Sequence, residues 1–293
     1  MPEGPAPAPV TQRLRVRYAK RGRLRFTSHR DISRAVERAV RRAGIPVAFS
    51  AGFSPHPKIS YAGAAATGVA SEAEYLEIAL TETRDPARVR ADLDGALPDG
   101  LDIVDVVAAG QAKTSALADR LAASEWRIRM DGVDETDAAA AVAAFLDAAT
   151  IEVERLTKKG RRRFDVRAAV STLRAESPGE PDRRAAGAAD APCAILRMVV
   201  RHTTPAVRPD DILTGLRQVA DLAPPSPPLV TRLAQGPLDA ETGELTDPLE
   251  PDRGFVPGRE AERPSGDDAA TARGPALTQT EAAAGVDVAG ARP

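Results

Sequence analysis

Residues 13–18 alternate without interruption, with Arg13, Arg15 and Arg17 on one side and Leu14, Val16 and Tyr18 on the other. A period of two over six residues is the pattern of a strand with one face in a core. Its other face must place three arginines side by side, in water or against anions. That demand does not stop at residue 18. Residues 13–60 hold thirteen Lys and Arg against only Asp31 and Glu37, although the formal net charge of the whole chain is −2. Like charges at such density raise the energy of a compact structure, and a polyanionic partner relieves the repulsion.

After this strand, Lys20-Arg21-Gly22-Arg23 reads as a turn, and Leu24 and Phe26 continue the apolar face. Ser28, three residues before Asp31, is the start of a capping box. Ile32, Ala35, Val36, Ala39, Val40 and Ala43 then recur at helical spacing, and Gly44 is placed as the residue that ends the helix. The far side of that helix carries Arg30, Arg34, Arg38 and Arg41, with Glu37 among them.

The spacing predicts a short strand over 47–50, a proline-stiffened loop over 52–57, and strands over 58–62 and 75–80. A helix follows from Asp85-Pro86 to about residue 97, then a strand over 101–107. The order is β-α-β-β-α-β, the ferredoxin-like unit. A similar order recurs: a strand over 125–130, a helix over 134–149, a strand over 151–156, a basic turn over 158–163, a strand ending near 174, a polar loop over 177–191, a strand over 195–200, a helix from Pro209 and a strand over 229–233. The expectation is an α+β fold: residues 1–11 disordered, a first ferredoxin-like domain over 12–110 and a second over 122–235. Residues 236–293, with twelve acids against five arginines and few bulky apolar side chains, are expected to be a disordered acidic tail.

Composition removes several chemistries. Cys193 is the single cysteine and His29, His56 and His202 the only histidines, so neither a four-cysteine zinc site nor an iron–sulfur cluster held by three cysteines can form within the chain. There is no GxGxxG and no GxxxxGK[ST]. No apolar run reaches the 18 or so residues of a membrane span, and the N-terminus lacks the pattern of a secretory signal; a cytoplasmic protein with no membrane partner is expected.

The residues with the chemistry to hold a phosphate backbone are Arg15, Arg17, Arg23, Arg25, Arg34, Arg38 and Arg41, with Lys58 nearby. A second basic cluster spans Arg155 to Arg167. Phe53, between Gly52 and Ser54, is placed to stack on an unpaired base, while Tyr18 and Phe26 are expected in the core. Pro55-His56-Pro57-Lys58 is a stiff polar loop suited to positioning a ligand. His29, Asp31 and His56 are the catalytic candidates, but Ser28 and Asp31 are accounted for by capping, and no catalytic signature points to a reaction.

Several segments resemble a family described as a radical-SAM-linked domain of unknown function. They are residues 22–31 (Gly-Arg-Leu-Arg-Phe-Thr-Ser-His-Arg-Asp), Glu37-Arg38-Ala39 with Arg41-Arg42-Ala43-Gly44-Ile45-Pro46, 50–60 (Ser-Ala-Gly-Phe-Ser-Pro-His-Pro-Lys-Ile-Ser), then Gly68-Val69, Ser71, Glu74 and Tyr75, and finally Gln235-Gly236-Pro237-Leu238. The resemblance implies an accessory protein to a radical SAM protein, with any iron–sulfur cluster and SAM belonging to that partner. Combined with the basic head, it predicts an accessory protein that binds RNA or a ribonucleoprotein. Two other readings use the same residues: an RNA-modifying or RNA-processing enzyme built on His29, His56 and Asp31, and a protein-docking module with no nucleic acid.

Overall fold

The computed structural model describes residues 7–110, 116–157, 160–185 and 191–255. The first half runs β1 (Gln12–Lys20), a 3₁₀ turn (Gly22–Phe26), α1 (His29–Arg42), β2 (Ile59–Ala62), β3 (Ala70–Leu80), α2 (Pro86–Asp94) and β4 (Leu101–Ala108). After a 3₁₀ turn at Leu117–Arg120, the second half runs β5 (Ala123–Asp131), α3 (Glu135–Asp147), β6 (Glu152–Thr157), β7 (Gly160–Asp165), β8 (Val170–Glu176), α4 (Glu180–Ala185), β9 (Cys193–Arg201), α5 (Pro209–Ala220) and β10 (Leu229–Gly236).

The ends of α1 are set by local chemistry. Asp31 N–H donates to Ser28 Oγ at 3.3 Å, and Ser28 Oγ–H donates to the Asp31 carboxylate at 2.7 Å. At the other end Gly44 takes φ +64°. Gly44 N–H donates to the Arg41 carbonyl (3.2 Å) and Ile45 N–H to the Val40 carbonyl (3.1 Å), the Schellman closure that a left-handed glycine permits.

Among the described residues the strands form an eight-stranded sheet ordered β4-β1-β3-β10-β5-β9-β8, with β2 also on β3, and a separate β6–β7 hairpin. The fold is α+β, with every strand pair antiparallel except β10 with β3. β10 closes the second half against β5 and joins it to the first at Thr231↔Ala70 and Arg232↔Ser71, so both halves share one sheet.

Leu14, Val16 and Tyr18 of β1 and Leu76, Ile78 and Leu80 of β3 bury against Ile32, Val36, Ala39 and Val40 of α1 and Val89 and Leu93 of α2. In the second half Ile128, Met130, Leu196 and Met198 bury against Phe145 of α3 and Ile212 and Leu216 of α5. Each such Leu or Ile contributes about 1.5–3 kcal/mol by leaving water. Arg232 alternates with Val230 on the helix side of β10 and meets Glu74, which pairs with Tyr18 across β3 and β1. The helices of both halves therefore cover one side of the sheet.

The opposite side of the first half carries the arginine face of β1, expected in water or against anions. A small core of Ala62, Ala73, Tyr75, Val107, Leu117, Leu121 and Leu249 covers much of it. Disorder from residue 236 onward is thus corrected as far as residue 255. Leu238 bridges to Leu245, a 3₁₀ turn forms at Glu250–Asp252, and Leu249 and Asp252 are buried. Two anchors suffice to hold a segment whose composition is otherwise that of a solvated tail. The rest of the expected disorder, over residues 1–6 and 256–293, lies outside the described residues.

Smaller differences have local causes. Leu24 still packs against the first core, but Phe26 does not: Gly22, at φ +53°, turns the chain into a 3₁₀ helix and leaves Phe26 60 % exposed. The strand expected over 47–50 is reduced to isolated bridges, Val47↔Leu80 and Phe49↔Pro57. The basic turn over 158–163 is instead mostly strand β7, with Lys158 and Lys159 outside the described residues. The polar loop over 177–191 includes α4.

Candidate nucleic-acid interface

The arginines of residues 13–42 divide between the two sides of the sheet. The alternation of β1 holds, but it points Arg13, Arg15 and Arg17 away from α1. Arg15 donates from Nε to Glu77 at 3.3 Å and from Nη1 to Asp252 at 2.6 Å, and its side chain is 5 % exposed. Arg17 donates to the backbone carbonyls of Glu72 (2.8 Å) and Leu233 (3.5 Å). Arg13 pairs with Glu77 at 3.0 Å. Arg15 and Arg17 are therefore corrected as ligands of an RNA backbone: carboxylates and carbonyls from later in the chain engage them, and they cannot share a surface with the helix row.

The sequence-adjacent half of the basic head remains on the surface. Arg23, Arg30, Arg34, Arg38 and Arg41 are exposed. Arg34 makes a loose pair with Asp31 at 3.7 Å and Arg41 with Glu37 at 4.0 Å, solvent-screened contacts of little energetic weight. Among the described residues Arg23, Arg30 and Arg38 have neither ion pair nor side-chain hydrogen bond. Arg25 lies 4.5 Å over the Phe26 ring. The 47–58 segment forms a narrow excursion, with Ser50 N–H donating to the His56 carbonyl (2.9 Å) and Lys58 N–H to the Ala48 carbonyl (2.7 Å). Near its tip Phe53 is 94 % exposed, and His56 is exposed beside it.

The catalytic candidates are not brought together. Asp31 caps α1. His29 stands edge-on to Tyr61, with ring centroids 4.9 Å apart, and no contact joins it to His56 among the described residues. The Tyr61 hydroxyl is enclosed beside Ser33 without a well-formed hydrogen bond, and burial pushes its phenol up to about 12. The second basic cluster is largely structural. Arg155 donates to Asp211 at 2.6 Å and lies 4.9 Å over Phe164, Arg161 pairs with Glu154 at 2.7 Å, and Arg167 donates to the Leu146 carbonyl.

Sequence reasoning missed a buried charge network at the seam between the halves. Arg232 forms a fully buried pair with Glu74, donates to Ser71 Oγ at 3.3 Å and to Gln235 Oε1 at 3.3 Å. Lys20 donates to the carbonyls of Ala65 and Ala66 at 3.4 and 3.1 Å, and Gln235 donates to the Ala73 carbonyl at 2.6 Å. Burial lowers the Lys20 pKa; Glu74 opposes that shift and Arg232 adds to it. Ser71, Glu74 and Gln235 are all among the segments that carry the family resemblance, which was the available signal. Nearby, His202 Nδ1–H donates to the Leu121 carbonyl at 2.6 Å, and in the neutral ring Ser124 Oγ–H donates to Nε2 at 2.7 Å. Burial lowers the His202 pKa and Arg232 reinforces the shift, against the Leu121 hydrogen bond.

The one cysteine, Cys193, is buried 3.7 Å from Asp131, and no group of three His, Cys, Asp or Glu suited to a metal occurs among the described residues. These residues do not fit an iron–sulfur cluster. Among the described residues no helix is long and apolar enough to cross a membrane. No curated protein matches the chain. A family of uncharacterised proteins conserved in bacteria, DUF2344, matches residues 13–209, a span that holds the α1 row, the 47–58 excursion and Glu74 but ends before β10. The match takes in well over half of the sequence, and the chain belongs to that family.

Proposed function

We propose that the protein is a non-catalytic accessory protein that binds RNA or a ribonucleoprotein through the outer face of α1 and the 3₁₀ turn before it. In this reading the two halves are tandem ferredoxin-like units, a likeness supported by the strand orders β4-β1-β3-β2 and β10-β5-β9-β8. The supporting observation is that Arg23, Arg30 and Arg38 are exposed and unneutralised among the described residues, in a segment of chain that also exposes the rings of Phe26 and Phe53. Arginine holds phosphates through charge-assisted, bidentate hydrogen bonds, and exposed rings stack on unpaired bases without regard to sequence. The physiological partner is a radical SAM protein, which supplies the iron–sulfur cluster and SAM; the motif resemblance carries this part.

Fluorescence anisotropy with a structured RNA across a salt series tests the interface. Log K falls against log salt at about 0.7–0.9 per phosphate neutralised. Arg30→Ala with Arg38→Ala reduces that slope by about 2, one for each lost phosphate contact. A flat salt response in the wild type, or an unchanged slope in the double variant, removes the proposal.

A further inference from the structure

The side of the first half facing away from α1 is not fully covered. Next to the Leu249 core lies a cleft of about 790 Å³, whose lining includes Arg13, Arg15, Ser60, Glu77, Leu117 and Phe255. That volume falls in the range of small-molecule sites, roughly 300–1,000 Å³. The alternation of the strands explains the lining: Arg15 is opposite Glu77 on β3, and Ser60 is opposite Glu77 from the other side, so the three side chains share a face.

The charges around the cleft do not cancel. Arg13, Arg15 and Arg120 meet two carboxylates, Glu77 and Asp252. Asp252 takes Nη1 of both Arg15 and Arg120 at 2.6 Å on the inner side, and Glu77 takes Arg13 Nη1 and Arg15 Nε on the outer. One positive charge is left over. The Arg15 Nη2 amino group has no hydrogen-bond partner among the described residues, although its side chain is only 5 % exposed. Among the described residues Arg13 keeps Nε and Nη2 unengaged on a half-exposed side chain, and Ser60 Oγ makes no hydrogen bond. A buried donor held in place by two carboxylates, yet left with a free N–H₂ at the edge of a cleft, is built to receive an acceptor.

We propose that this cleft binds a small organic anion. A phosphate or carboxylate head engages Arg13, Arg15 Nη2 and Ser60. A flat apolar body lies along Leu117 and Phe255, and Glu77 accepts from any hydroxyl or amine the ligand presents. The site is on the opposite side of the sheet from the α1 row and does not depend on RNA binding.

The test uses the full chain labelled with ¹⁵N-arginine, following the Nε–H resonances during titration with AMP, phenyl phosphate and benzoate. At least one of the three produces saturable shifts at Arg13 and Arg15, adenosine without its phosphate produces none, and Arg38→Ala changes nothing. Arg13→Ala and, separately, Ser60→Ala weaken the binding, the first by about tenfold or more. Both residues reach solvent, so neither substitution threatens folding. Failure of all three probes to saturate in the millimolar range overturns the proposal. So does binding that survives Arg13→Ala and Ser60→Ala intact, or that Arg38→Ala abolishes.

Discussion

Replacing Asp252 by Ala removes a carboxylate with no exposed side-chain surface that Arg15 and Arg120 each reach at 2.6 Å. Arg120 would keep its bond to the Pro248 carbonyl and Arg15 its bond to Glu77, but two buried guanidinium groups would share a single remaining anion. Breaking a buried pair from one side destabilises by about 3–5 kcal/mol, because the uncompensated charge stays desolvated. At roughly 2–4 °C per kcal/mol for a protein of this size, the thermal midpoint falls by on the order of 10 °C. Urea denaturation followed by circular dichroism reads the same difference at fixed temperature. The effect is also pH-dependent with a defined sign. Burial raises the Asp252 pKa, but the hydrogen bonds from Arg120, Arg15 and Gly110 outweigh it and hold the carboxyl below the usual range. A depressed acid stabilises above its unfolded value of about 3.9 and loses that contribution as pH falls through the folded value, so wild type and variant converge below about pH 4. Arg253→Ala is the control: its contacts to Asp105, Asp247 and Glu250 are solvent-screened, and its loss costs about 1 kcal/mol or less. An Asp252→Ala protein within about 1 kcal/mol of wild type at pH 7 would refute the view that residues 247–253 are clamped to the sheet through this carboxylate.

Further measurements separate the seam from the surface. Glu74→Gln, which leaves Arg232 and Lys20 without their anion, destabilises by about 3–5 kcal/mol in the same urea assay, whereas Phe53→Ser changes stability by no more than about 0.5 kcal/mol. Gly236→Ala forces a methyl group into the Thr246 carbonyl and lowers the thermal midpoint; an unchanged midpoint would show that the chain after β10 is not seated as described. His202, with its pKa lowered, stabilises the fold above its unfolded value near 6.5, and that contribution is lost as pH falls through the folded value. The stability difference between wild type and His202→Gln therefore shrinks between pH 7 and pH 5, and a difference constant over that interval contradicts the neutral-ring reading.

Periodic signals carried well from sequence to structure. The alternation of 13–18, the stripe of α1 and the Ser28 and Gly44 ends of that helix are each set by residues within a few positions of one another, and each formed as expected. What failed was the environment of the strand's second face. Alternation shows that Arg13, Arg15 and Arg17 share a side; it does not show what covers that side, and the covering residues come from positions 117–121 and 249–252. Phe26 was misplaced for a related reason: one glycine at φ +53° changed the period from two to three, and no residue after it restored the strand. The Glu74–Arg232 pair was illegible because its partners are 158 residues apart and belong to strands whose pairing is parallel and short.

The position of β10 sets an order on how the molecule can be assembled. Among the described residues it is the last strand in sequence, yet it lies mid-sheet between β3 and β5. About 150 residues separate it from β3, and a ribosome adding about 5–20 residues per second needs roughly 7–30 s to reach it. Until then Ala70 and Ser71 of β3 and, once residue 131 has been added, the facing edge of β5 present unpaired amides and carbonyls, as on any open sheet margin. Translation must therefore pass through a state in which two half-built sheets each offer a sticky border, and only the arrival of residues 229–236 brings those borders together.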